Sequence, residues 1–112
     1  MGDRRMAEIR TQDGSIYFYT HWDGATLPGA AFEAVLAAKP RWSDESYATR
    51  IVIDKLLAPY RDQETGAGLM LQPNAEDSYN SDKPSVIIDL VTRTVVVIAA
   101  GHMTTTPFAS WV

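Results

Sequence analysis

The sequence predicts an α+β protein, a mostly antiparallel sheet of about five strands with two helices packed on one face, in the order ββααβββ. Three observations carry that expectation. β-branched and aromatic runs open and close the chain. Two apolar stripes at helical spacing, each bounded by prolines, lie between them. The 112 residues are 46% hydrophobic and 21% charged, which suits one domain, 1–112, with a core of its own.

Each element has a local reason. Ala7, Ile9 and Thr11 alternate with Glu8 and Arg10, the period of a half-buried strand. Asp13-Gly14 suits a tight turn that needs positive φ. The run 15–21 is β-branched and aromatic, with Ile16, Phe18 and Thr20 assigned to the core. Tyr17, Tyr19 and His21 then share the opposite face, a wet surface or a groove. Asp23-Gly24 ends this strand.

Pro28 is placed to open a helix whose stripe is Phe32, Val35 and Leu36, and Pro40 stops it. Ser43 is the expected N-cap of a second helix, with Asp44 and Glu45 favouring the positive end of its dipole. Tyr47, Ala48, Ile51, Val52, Leu56 and Leu57 give its apolar face as far as Ala58, and Pro59 closes it. A strand is expected over 66–72 and a long loop over 73–84, a length that usually means function or poor order. Ser85–Val91 and Thr94–Ala99 form a hairpin around Thr92-Arg93. Its near-continuous apolar runs predict that both faces are covered. Phe108 and Trp111 must dock in the tail.

Composition narrows function by elimination. The chain has no cysteine, which removes disulfides, thiolate metal sites and a cysteine nucleophile. Net charge is −4 and the basic residues form no run, so direct nucleic-acid binding is disfavoured. Residues 1–60 carry 7 bases against 8 acids, and residues 61–112 carry 3 against 6. The acidic excess therefore gathers around the loop, and a basic protein partner fits it better than nucleic acid. With no apolar run near the ~20 residues of a membrane span, the expectation is a soluble, cytoplasmic protein that binds no membrane.

Candidate chemistry is sparse. His21 and Asp23 have the residue types of a base and its orienting carboxylate, yet Gly24 turns the strand there. Turn-capping hydrogen bonds explain the pair more simply. His102 is the only other histidine, and no spacing supports a metal site. Gly66-Ala67-Gly68 lacks the lysine and third glycine of phosphate-binding loops and reads as a turn into a strand. Arg41, Trp42 and Arg50 form a mixed aromatic and cationic patch, of the kind found at interfaces. The blander reading is a tryptophan covering the helix junction with the arginines turned outward. No catalytic residue, cofactor or metal is expected.

The stretch from Ile16 to Gly24, containing Tyr19-Thr20-His21-Trp22-Asp23-Gly24, resembles a signature of small phage and prophage proteins without an assigned activity. In that group a strand ending in Tyr-x-His-Trp-Asp-Gly precedes a helix. Ala25 and Thr26 stand here where Tyr-Pro is usual. Glu64–Gly68, Asp77-Ser78-Tyr79 and the Val-Ile-Ile-Asp strand follow in similar order, so the resemblance covers about half the chain. It implies a small accessory protein. Small acidic proteins of this kind include inhibitors of bacterial defence systems, anti-CRISPRs among them.

The leading expectation is thus a non-enzymatic module that binds and modulates a host protein with a basic surface. Its contact residues would be Tyr17, Tyr19, His21, Trp22, Asp23 and Arg50, with Glu76, Asp77 and Tyr79 from the acidic loop. The alternatives are a small hydrolase or metal-assisted enzyme centred on His21 and Asp23, and an oligomeric structural protein. In the latter the last hairpin and Trp111-Val112 complete the sheet of a second chain, such as a homodimer partner.

Overall fold

Alternation along the first two strands sets the frame of the molecule. The computed structural model describes residues 5–21, 24–71, 85–99 and 101–111. Within them, β1 (Arg5–Thr11) and β2 (Gly14–Thr20) pair antiparallel with Ala7 opposite Phe18 and Ile9 opposite Ile16. The turn residues are Gln12 and Asp13. Both keep negative φ, and Gly14 supplies the positive one at +133°, so the glycine opens β2 instead of completing the turn.

Two helices follow. α1 (Leu27–Ala37) begins with Pro28 in its first turn and buries Leu27, Ala31, Ala34 and Val35. α2 (Glu45–Leu57) buries Ala48, Val52 and Leu56. Its N-cap is Asp44, one residue later than Ser43. Asp44 adopts the extended backbone a cap requires, and its carboxylate accepts from the Tyr47 N–H at 3.4 Å. Short 3-10 turns carrying Pro40 and Pro59 end the two helices.

The sheet has six strands where about five were expected. β3 (Ala67–Met70), β4 (Val86–Asp89), β5 (Thr94–Ala99) and β6 (His102–Pro107) complete the order β3-β2-β1-β4-β5-β6. Four of the pairings are antiparallel, and β1 with β4 is parallel. The sheet is therefore mixed. The parallel pair arises because the chain leaves β2, crosses through the helical layer and β3, and re-enters beside β1 in the same direction. β6 escaped the pattern because Thr104, Thr105 and Thr106 show no apolar alternation, although their β-branching suits a strand.

The core lies between the helices and one face of the sheet. Ala7, Ile9, Phe18, Val86, Ile88 and Val95 meet α1 and α2 there, and Thr20 is buried on the same face. Ile16, assigned to this face, is only half-buried. Phe108, in the 3-10 turn Phe108–Trp111, docks into the core with its ring centroid 5.0 Å from that of Trp42. The Trp111 side chain lies outside the described set. Trp42 covers the helix junction as the blander reading held, and its indole N–H donates to the Val35 carbonyl at 2.9 Å. The expectation that both faces of the β4–β5 hairpin are covered is corrected. Val86, Ile88 and Val95 are buried under the helices, while Ile87, Val96 and Ile98 on the reverse are half-buried.

Candidate functional site on the open face of the sheet

Strand register decides which side chains gather on the face away from the helices. Tyr17, Tyr19 and His21 stand there on and just beyond β2. Met6, Glu8 and Arg10 lie beside them on β1, then Ile87 and Asp89 on β4, Val96 and Ile98 on β5, and Met103 and Thr105 on β6. Met6, Glu8 and Asp89 are buried, so β1 is covered on both sides where a half-buried strand was expected. The face grades from aromatic at one side, through a charged centre, to aliphatic at the other. No helix among the described residues packs on it.

At the aromatic side the Tyr19 hydroxyl and His21 Nδ1 are hydrogen-bonded at 2.7 Å, with the two rings edge to face. The backbone N–H of His21 donates to the Gly66 carbonyl at 2.9 Å, which ties the end of β2 to the approach to β3. Tyr19, His21 and residues 65–68 line an open hollow of about 380 Å³. A second hollow, of about 480 Å³, lies between the β1–β2 turn and the start of α2, where the Thr49 hydroxyl is buried without a partner.

The charged centre is bonded throughout. Glu8 is 7% exposed and accepts from Arg10 Nε at 2.9 Å, from a second guanidinium nitrogen of Arg10 at 3.2 Å and from the Ser15 hydroxyl at 2.7 Å. Asp89 stands 3.6 Å from Arg10 and also accepts the Val91 and Thr92 N–H groups, which closes the turn after β4. Burial pushes the Glu8 carboxyl upward. The hydrogen bonds from Arg10 and Ser15, with the charge of Arg10, outweigh it and hold Glu8 below its ordinary value of 4.5. Glu8 in turn holds the Arg10 guanidinium still more firmly protonated.

A carboxyl depressed in the folded state stabilises the fold above its unfolded pKa and loses that contribution as pH falls through the folded value. Glu8→Gln is therefore expected to cost about 1–3 kcal/mol at pH 7. The gap to the wild type should hold down to about pH 4.5 and close below it. Urea unfolding of both proteins between pH 7 and 3 measures this.

The structure brings together only some of the residues singled out by the sequence. Tyr17, Tyr19 and His21 share the open face. Arg50 does not join them: it is exposed on α2, in the helical layer behind the sheet. Helical spacing places Arg50 near Trp42, but cannot say on which side of the sheet the helix lands. His102 stands on β6, four strands and ~19 Å from β2, so the two histidines do not converge. Among the described residues no group of three or more His, Asp or Glu side chains is arranged to hold a metal. Trp22, Asp23, Glu76, Asp77 and Tyr79 lie outside the described residues.

Sequence reasoning missed the Glu8–Arg10–Asp89 centre and the aliphatic side made by Ile87, Val96, Ile98 and Met103. Alternation against Ala7 and Ile9 already marked Glu8 and Arg10 as facing away from the core. The partner strand β4 comes from 79 residues on, between Ala7 and Val86, and no local pattern specifies that pairing.

These features define the class: an α+β protein with a mixed six-stranded sheet, one helical layer and one helix-free face. Comparison with protein-family models, curated proteins and solved structures gives no match to this chain. No described helix is long and apolar enough to cross a membrane.

Proposed function

We propose that this chain is a small non-enzymatic binding protein that docks through the open face of its sheet onto a host protein and modulates it. The observation that carries this reading is the composition of that face. Two tyrosines and a histidine are held on the sheet beside a bonded charged centre, in which Glu8 and Asp89 are buried and Arg10 is exposed, and a half-exposed aliphatic side. Aromatic anchors next to an ordered arginine are the residue types that dominate binding energy at protein interfaces. The net charge of −4 favours a partner with a basic surface over nucleic acid.

The Tyr-x-His-Trp-Asp-Gly motif at the end of β2 supports an accessory protein of phage or mobile-element type, acting in the cytoplasm of the host cell. Inhibition of a defence system such as CRISPR-Cas is the narrower form of that reading and draws support from the resemblance alone.

Retention of host proteins on immobilised chain tests the proposal. One host protein should be retained by the wild type and by Arg50→Ala, because α2 lies behind the sheet. Tyr17→Ala and Tyr19→Ala should each lower its affinity about 10-fold or more, the cost of truncating an interface anchor. Unchanged retention by both tyrosine variants would overturn the assignment of the face.

A further inference from the structure

We propose that two copies of the chain pair through β6, antiparallel about a two-fold axis, and join their sheets edge to edge. The inference rests on a sheet edge and is independent of what the open face binds.

The register determines what this edge offers. Ala99 and His102 flank the turn between β5 and β6, and beyond the far end of β6 the Phe108 N–H donates to the Arg93 carbonyl at 2.8 Å. Residues 102, 104, 106 and 108 therefore turn their backbone groups toward β5. Met103 and Thr105 turn theirs outward, each with an unshared N–H and C=O. Pro107 is next in that outward series and has no N–H to offer, so it marks where pairing ends.

Apart from Pro107 at its end, the edge carries, among the described residues, none of the devices that normally block such pairing. Natural free edges are kept single by charged side chains, lysine above all, by proline, by bulges or by covering elements, and here the proline stands only at the last position of β6. Residues 94–112 contain no Asp, Glu, Lys or Arg, although the whole chain has 24 charged residues among 112. No like charges would meet when this strand lies against itself. β6 is also exposed over most of its length, with Met103 67% exposed.

A second copy fits because the edge is self-complementary. Centred on Thr104, an antiparallel match sets Met103 opposite Thr105 of the other copy, and the reverse, for about four backbone hydrogen bonds. Thr104 then faces its own equivalent, a cross-strand threonine pair of the kind that favours sheets. Met103 gains cover against Thr105 of the second chain. One six-residue strand pair is a small interface, so the association is weak and depends on concentration. At the other edge, β3 has only four residues and one of them is Gly68, a poorer template.

Sedimentation velocity over a wide concentration range tests this, together with amide exchange at Met103 and Thr105. The wild type should pass from one chain to two as concentration rises, with protection of those two amides increasing in step. Thr105→Pro removes an outward N–H while leaving the bonds of Thr104 and Thr106 to β5, and should shift the midpoint at least 10-fold. Met103→Lys adds the missing edge charge and should shift it in the same direction, which decides the matter if the proline variant fails to fold. A chain that stays monomeric at every concentration would overturn the proposal, as would a dimer unmoved by either folded variant.

Discussion

Phe18→Ala is expected to remove about 3–5 kcal/mol of folding stability. Phe18 is 2% exposed at the middle of β2, with Ala7 opposite on β1 and Leu69 opposite on β3. Its ring centroid lies 6.3 Å from that of Tyr60, which follows α2. The side chain thus joins three strands to the end of the helical layer, and its small neighbour Ala7 cannot expand to fill the gap. A domain of this size has about 5–15 kcal/mol in all, so the variant should melt about 10–20 °C lower and sit near the limit of folding. Tyr60 also approaches the buried Thr20 hydroxyl at 3.3 Å, a contact that loosens with the ring. Thermal melting followed by far-ultraviolet circular dichroism measures the loss.

Phe108→Ala should be nearly as costly, about 3–5 kcal/mol, although the residue follows the last strand, in a segment that looks peripheral. Phe108 is 1% exposed and stacks in a tilted arrangement on Trp42, while its N–H bonds to Arg93 at the β4–β5 turn. It therefore fastens the C-terminal strand to the helix junction. Trp42 is itself held by Val35, so the alanine variant should let water reach the indole. The expected signature is a red shift of tryptophan emission together with a lower urea midpoint. An unfolding free energy within about 0.5 kcal/mol of the wild type, the range of an ordinary surface substitution, would show that the tail is not part of the core.

Much of the fold is legible in the sequence where a local rule applies. The alternation of Ala7 and Ile9 against Glu8 and Arg10 and the aromatic run of β2 reveal both strands and their two faces. The prolines at 28, 40 and 59 bound the helices, because each restricts the backbone at its own position. What stayed hidden depends on pairing across long separations. The parallel contact of β1 with β4 decides that Glu8, Arg10 and Asp89 form one cluster, and no periodicity encodes it. The side of the sheet on which α2 settles likewise separates Arg50 from Tyr17 and Tyr19. The shift of the helix cap from Ser43 to Asp44 is a smaller case: either side chain can accept the N–H, and the local backbone chooses. β6 was illegible because threonines exposed on both faces leave no contrast to read.

On the proposed reading the open face of the sheet, and not the helical layer, meets the partner. Site-specific photocrosslinking in the host cell decides this, with the photoreactive side chain placed at Tyr17, Val96 or Ile98 on the open face, or at Leu36 or Arg50 on the helices. A crosslinked adduct with one host protein is expected from the face positions, Tyr17 above all, and none from Leu36 or Arg50. An adduct with that protein formed only from the helical positions, or equally from both sides, would contradict it.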